Sequence, residues 1–172
     1  MRKYFLPLII LSLFILDSII IDVTPLRHMN EEWTIVPRLI IISLILVTIF
    51  ANESYGLVYS FLFGLLYDVV YTDIIGIYMF AFTVMSYIVS KIMKIVHANV
   101  VVVFFITLIG ITLVEYFAYG VHSIIGSTRM VQQEFLLLRL LPTLAFNGIA
   151  TILFMYPLKK FCEKLIFYEN ED

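Results

Sequence analysis

The sequence has few charged residues and almost no cysteine. Of its 172 residues, 14% are charged and 62% are hydrophobic, whereas ordinary globular proteins carry roughly 25% charged residues. The single cysteine, Cys162, excludes an internal disulfide, and it is either an ordinary thiol or a palmitoylation site. No dense basic run occurs and the formal net charge is −2, so nucleic-acid binding has no electrostatic basis.

The sequence also lacks the motifs of soluble enzymes and metal proteins. The three histidines, His28, His97 and His122, are far apart and do not have metal-ligand spacing. GxSxG, HExxH, a Walker loop and CxxC are all missing. Glu115 and His122 could share one helix face, but Gly120 lies between them and we expect His122 in a loop. We therefore predict no catalytic residue, no metal and no cofactor.

Six long hydrophobic blocks occupy most of the chain. A soluble domain of this size could not bury so many apolar side chains, and about 20 helical residues cross a hydrocarbon core. We predict an all-α integral membrane protein, a single domain whose six transmembrane helices cover residues 4–21, 35–51, 55–71, 74–90, 100–119 and 135–157. Blocks three and four are short and tightly connected, so a re-entrant hairpin is the alternative there.

The basic residues between the blocks predict the orientation. The first block follows a basic start but has no small-residue cleavage site, so we interpret it as a retained anchor helix. With the N-terminus inside, the outer segments hold only Arg27 and Arg129. The inner segments then hold seven basic residues: Arg2, Lys3, Lys91, Lys94, Lys159, Lys160 and Lys164. This bias places both termini in the cytoplasm.

Five ionisable residues fall inside the predicted spans: Asp17, Arg38, Asp68, Glu115 and Arg139. Each costs about 2.5–3.5 kcal/mol on the insertion scale, and the predicted topology places all five in the outer half of the membrane. We expect mutual pairing, of Arg38 with Asp17 or Asp68 and of Arg139 with Glu115. Neutralising Glu115 should then partly rescue Arg139→Ala. The alternatives are snorkelling of the arginines and Asp17 to the headgroups, or a proton or ion relay.

Two further patterns concern helix packing. Four residues recur every fourth position on one face of the third block: Gly56, Ser60, Gly64 and Asp68. Small residues at this spacing let helices approach closely, either within the chain or with a partner helix. In the sixth block, Pro142 predicts a kink and Asn147 predicts a hydrogen bond to another helix.

The order and spacing of several motifs resemble the MreD family of rod shape-determining membrane proteins, most closely its members from Gram-positive rods. The residues that carry the resemblance are Phe63-Gly64-Leu65-Leu66-Tyr67-Asp68, then Gly76-Ile77-Tyr78-Met79-Phe80, and later Leu138-Arg139-Leu140-Leu141-Pro142-Thr143. The positions that match the family motif are Gly64, Leu65, Asp68 and Gly76.

The resemblance implies a non-enzymatic subunit of the bacterial cell-elongation machinery in the cytoplasmic membrane. Such proteins act with the bitopic partner MreC and are linked to MreB filaments, to the polymerase RodA and to a class B penicillin-binding protein. The resemblance also implies a fold similar to the S-components of energy-coupling-factor vitamin transporters. It defines no catalytic residue and no cofactor.

Two other functions are kept as hypotheses. A small-solute binding or transport subunit resembling an S-component requires a defined pocket on the outer side. A membrane-embedded enzyme, such as an intramembrane protease, requires a paired nucleophile and base, which the sequence does not show.

Overall fold

The regular structure of the chain is helical. The computed structural model describes residues 5–23, 33–128 and 130–169, and its side chains up to residue 165. The elements are α1 (Phe5–Val23), α2 (Leu39–Phe50), α3 (Glu53–Tyr71), α4 (Ile77–Met93), α5 (Val100–Ile125), the short α6 (Gln132–Glu134), a π-helical stretch (Phe135–Leu140) and α7 (Leu141–Glu169). The all-α fold class is thereby confirmed. Arg2, Lys3, Arg27, His28 and Arg129 lie outside the described residues.

Within the described residues, three helical segments are long and apolar enough to cross a membrane: Glu53–Tyr71, Val100–Ile125 and Gln132–Leu165. The other three apolar helices are shorter, over Phe5–Ile21, Leu39–Phe50 and Ile77–Met93. The number of membrane crossings therefore stays a prediction.

The second hydrophobic block is helical only in part. A helix was expected from residue 35, but residues 33–38 are not helical and α2 begins at Leu39. Pro37 explains the difference, because a proline disfavours helical backbone at the residue before it, here Val36.

Two helices continue beyond the predicted membrane spans, because loss of apolar character does not end a helix. α5 continues past Tyr119 and places His122 on the helix rather than in a loop; it ends at Gly126, whose φ of +77° is left-handed. α7 continues through Pro157 to Glu169. Leu158, Cys162 and Leu165 are buried at helical spacing, so the lysines nearby mark a change of environment rather than the end of the helix.

The shortest of the six apolar helices, α2, lies at the centre of the bundle. It packs against α1, α3, α4, α5 and α7, and residues Leu39 to Thr48 are all buried. A helix that is apolar on all sides is stable where neighbours surround it. The other helices therefore form a ring around α2 and leave their own outer faces exposed.

Candidate functional site

The N-terminal end of α2 presents a buried ion pair. The Arg38 side chain is 1% exposed and the Glu115 side chain, from α5, is 0% exposed. Nε of Arg38 donates to Oε1 of Glu115 at 2.6 Å, and Nη2 lies 2.5 Å from the same oxygen. A charge taken out of water needs such a partner, because its desolvation is otherwise uncompensated.

Two tyrosines complete the surroundings of Arg38. Nη1 donates to the Tyr67 hydroxyl at 2.5 Å and Nη2 donates to the Tyr78 hydroxyl at 3.2 Å. The guanidinium carbon also lies 5.4 Å and 5.3 Å from the centres of these rings, within the range of cation–π attraction. Tyr67 of α3 and Tyr78 of α4 thus supply further acceptors for the guanidinium N–H groups of Arg38. Sequence reasoning missed both tyrosines, because nothing local marks them as partners of an arginine.

Glu115 also binds the second arginine of the layer. Nε of Arg139 donates to Oε2 of Glu115 at 3.3 Å, which is the expected pairing, and the Arg139 side chain is 33% exposed. The expected pairing of Arg38 with Asp17 or Asp68 is wrong, because Arg38 faces Glu115 instead. One carboxylate thus bridges two guanidinium groups. Arg38 is too deeply buried to snorkel.

Asp17 was expected to pair with Arg38, but its side chain binds backbone N–H groups at the start of α2. It is buried, and its two carboxylate oxygens accept from the backbone N–H groups of Leu39 at 2.9 Å and Ile40 at 3.0 Å. The N-terminus of a helix presents unpaired N–H groups and a partial positive charge, both of which favour a carboxylate. Asp17 of α1 therefore caps α2, whose own N-cap residue, Arg38, has a side chain that can only donate and makes no cap hydrogen bond.

Asp68 caps α4 in the same way. Its Oδ2 accepts from the N–H groups of Gly76 at 2.8 Å and Met79 at 2.9 Å, and its Oδ1 accepts from that of Tyr78 at 2.8 Å. Gly76 adopts a φ of +114°, which favours glycine, and so lets the turn bring these N–H groups back toward α3. These contacts explain why Asp68 and Gly76 occupy two positions of the family motif. Leu65, a third position of the motif, is half-buried.

The stripe of small residues on α3 packs inside the chain. A Cβ added to Gly64 would lie 2.6 Å from the Cα of Met79, and one added to Gly56 would collide with Thr48 of α2. The hydroxyls of Ser60 and Ser86 lie 2.5 Å apart. α2 and α4 therefore occupy this face, and it is not open to a partner helix.

The non-helical segment before α2, residues 33–38, is held by α7. Pro142 has no N–H to offer the carbonyl of Leu138 four residues earlier, and that oxygen accepts from the N–H of Thr34 at 2.8 Å. The π-helical stretch ends just before this proline. The carbonyl of Leu138, which Pro142 leaves without a helical partner, therefore binds the neighbouring backbone.

Asn147 and Thr143 pair with the rest of this segment. Oδ1 of Asn147 accepts from the N–H of Arg38 at 2.8 Å, and its Nδ2 donates to the carbonyl of Val36 at 2.9 Å. The hydroxyl of Thr143 accepts from the N–H of Val36 at 3.2 Å and donates to the carbonyl of Thr34 at 3.5 Å. Non-helical backbone inside a membrane protein needs such partners, because lipid supplies none.

A cavity of about 420 Å³ lies beside this charge layer. The polar side chains that line it include Arg38, Tyr67, Tyr78, Arg139, His122 and Asp73. His122 shares a hydrogen bond of 2.8 Å with the Ser127 hydroxyl through Nδ1. Glu115 is occupied by two arginines, so the acid–base pair of Glu115 and His122 is not formed. The solute-binding hypothesis requires a pocket on the outer side; a cavity is present here, and its side of the membrane stays a prediction.

The other end of the bundle carries exposed lysines. Nζ of Lys94 lies 2.7 Å from Oε2 of Glu53, and Nζ of Lys91 lies 4.0 Å from Oε1. The hydrogen bond with Glu53 raises the pKa of the Lys94 ammonium. Cys162 is buried, which favours an ordinary thiol over a palmitoylation site. No cluster of three metal-ligating side chains occurs within the described part of the chain.

The comparisons with known proteins agree on one family. The sequence profile of the family described as rod shape-determining protein MreD matches residues 1–165. The Rod shape-determining protein MreD of Bacillus subtilis (strain 168) is 32% identical over 161 residues, which are 94% of this chain and 94% of that protein. No solved structure matches the chain, so the similarity to S-components stays a prediction. This chain belongs to the MreD family of rod shape-determining proteins.

Proposed function

We propose that this chain is a non-enzymatic, multi-pass scaffold subunit of the bacterial cell-elongation complex in the cytoplasmic membrane. Its family supports a role in cell shape. The observation that carries the scaffold role is the use of the buried acids: Glu115 binds two arginines, while Asp17 and Asp68 cap helices. Carboxylates held in this way stabilise a fold and leave none of these three acids free to act as a base.

Six crossings with both termini in the cytoplasm are part of this proposal. α2 is only about 18 Å long at 1.5 Å per residue, but the six non-helical residues 33–38 can reach up to about 20 Å when fully extended. Together they exceed the roughly 30 Å of a hydrocarbon core. α1 and α4 measure about 28 Å and 26 Å by the same rise, and modest mismatch is accommodated by the bilayer.

The proposed direct partner is MreC, bound through packing of its transmembrane helix. The buried α3 stripe is occupied by this chain's own helices, so MreC is expected to pack on an outer face of the ring. MreB, RodA and a class B penicillin-binding protein are proposed as further members of the complex on family grounds alone.

Depletion in a rod-shaped host tests the role in cell shape. Conditional depletion of this chain, in a strain without a second copy, should give round or swollen cells, and re-expression should restore rods. A tagged chain purified in mild detergent should carry MreC, as identified by mass spectrometry against a mock purification from untagged cells. Normal rods after complete depletion would contradict the proposal.

Cysteine accessibility tests the topology. In a Cys162→Ala background, Lys94→Cys should react with a membrane-impermeant maleimide only after the cells are opened. Asp73→Cys, at the turn between α3 and α4, should react in intact cells. Reaction of both positions from the same side would contradict the six-span arrangement and favour a re-entrant α3–α4 hairpin.

A further inference from the structure

Two buried hydroxyl groups in the charge layer have unused hydrogen-bond donors. Tyr67 is 7% exposed and Tyr78 is 5% exposed. Each phenol oxygen accepts from Arg38, and a phenol can also donate one hydrogen bond. Within the described part of the chain, neither hydroxyl donates to a protein acceptor. Buried polar hydrogens almost always have a partner in the protein or in ordered water, so each of these two hydroxyls is available to an acceptor from outside the chain.

Arg139 contributes further unused donors to the same place. Its Nε is directed to Glu115, whereas Nη1 and Nη2 bind no acceptor among the described residues. The side chain is one-third exposed and lines the same cavity as the two tyrosines. The outer edge of a guanidinium presents two parallel N–H groups, which match the two oxygens of a carboxylate or a phosphate.

The cavity that these donors line can hold a small ligand. Its volume of about 420 Å³ lies within the range of roughly 300–1,000 Å³ found for ligand pockets. Arg38 and Arg139 set against Glu115 leave one net positive charge, while Asp73 is exposed at the rim, where water and salt screen its charge. A group with a single negative charge therefore fits this balance better than a group with several.

We propose that the cavity beside the charge layer binds a monoanionic oxygen ligand, a carboxylate or a phosphodiester, through Arg139 and the hydroxyls of Tyr67 and Tyr78. The ligand oxygens accept from the Nη groups of Arg139 and from the two phenols. The ligand is either a free solute or the headgroup of a lipid, since both carry this chemistry. The proposal does not depend on the scaffold role, because a scaffold with or without MreC can hold such a ligand.

Thermal unfolding of the purified full-length chain tests the proposal in two arms. In neutral detergent, sodium benzoate and sodium dimethyl phosphate serve as soluble probes, with benzylammonium chloride as the matched cation. In nanodiscs, dioleoylphosphatidylglycerol is compared with dioleoylphosphatidylcholine. An anion at a hundredfold excess over its Kd should raise the Tm by about 5 °C or more. A rise with a soluble anion identifies a free solute, and a rise with phosphatidylglycerol alone identifies a lipid headgroup.

Three variants connect the shift to the cavity. Arg139→Gln, Tyr67→Phe and Tyr78→Phe should each reduce the ligand-induced shift in Tm, and the phenylalanine variants keep the packing of the rings if Arg139→Gln fails to fold. Lys160→Gln, which removes an exposed cation outside the cavity, should keep the full shift. No shift with any anionic probe overturns the proposal. An undiminished shift in both phenylalanine variants also overturns it.

Discussion

Arg38 and Glu115, 77 residues apart in sequence, form a 2.5 Å ion pair in which both side chains are buried. The pair joins the start of the central helix α2 to α5. Tyr67 and Tyr78 extend it to α3 and α4, and Arg139 extends it to the helical segment that leads into α7. One guanidinium group and one carboxylate therefore connect five segments of the bundle.

Breaking this pair on one side should strongly destabilise the fold. Arg38→Gln leaves the Glu115 charge with only the partly exposed Arg139, and breaking a buried pair typically costs about 3–5 kcal/mol. We expect loss of the monodisperse peak in size-exclusion chromatography and a large decrease in Tm. Arg38→Met combined with Glu115→Leu should be more stable than the sum of the effects of Arg38→Met and Glu115→Leu alone predicts, since no charge is then buried unpaired. Strictly additive effects of the two changes would show that the residues are not coupled.

Removing Arg139 should have a smaller effect. Its side chain is partly exposed and its bond to Glu115 is longer, at 3.3 Å, so Arg139→Ala should lower the Tm less than Arg38→Gln does. The rescue by neutralising Glu115 that the sequence suggested is no longer expected. Glu115→Gln removes the counter-charge of Arg38, so the double variant should be less stable than Arg139→Ala alone. Thermal unfolding of the two variants checks this, and a higher Tm for the double variant would contradict it.

Gly64 and Gly120 should respond in opposite ways to the same substitution. A Cβ at Gly64 would lie 2.6 Å from the backbone of Met79, which cannot yield without separating α3 from α4. Gly64→Ala should therefore lower the Tm and the yield of folded chain even where MreC is absent. At Gly120, a Cβ would meet nothing within 4 Å among the described residues. Gly120→Ala should be tolerated or stabilise α5 by up to about 1 kcal/mol. Equal Tm values for the two variants would contradict the close packing of α3 and α4.

The cap that Asp68 provides should be needed for the turn into α4. Asp68→Ala leaves three N–H groups without an acceptor, of which one is buried and two are partly buried, and loss of a cap costs about 0.5–2 kcal/mol. We expect a lower Tm and faster proteolysis within residues 72–77. Asp73→Ala, an exposed acid in the same turn, is the matched control and should change neither measurement. Similar effects of the two substitutions would show that the cap contributes nothing.

Asn147 should hold the non-helical segment, residues 33–38, in place. Asn147→Leu has a similar volume but leaves the N–H of Arg38 and the carbonyl of Val36 without their partner, at about 1–3 kcal/mol for each buried group. The reactivity of an Ile35→Cys reporter in the Cys162→Ala background should increase, because residues 33–38 separate from α7. Ile149→Leu, at an exposed position of the same helix, should leave the reporter unchanged.

The sequence predicted the charge layer in outline but not its pairing. Asp17, Arg38 and Glu115 are identified as rare ionisable groups inside apolar blocks, and that needs only composition. That Asp17 caps a helix beginning 22 residues later depends on how α1 and α2 pack, and no local pattern records that. Pro37 was a usable local indication, because it disfavours helix at Val36, but the hydrophobic block around it outweighed it.

Five hydrogen bonds tie residues 34–38 to residues 138–147. Four of them use the side chain of Thr143 or Asn147, and the fifth uses the carbonyl of Leu138, which Pro142 leaves without a helical N–H donor. Sliding of α7 along its own axis would therefore break these bonds. α7 is about 44 Å long, longer than the roughly 30 Å of the bilayer interior. Asn147 of this long helix binds the backbone N–H of Arg38, so a displacement of α7 would move the residue that pairs with Glu115.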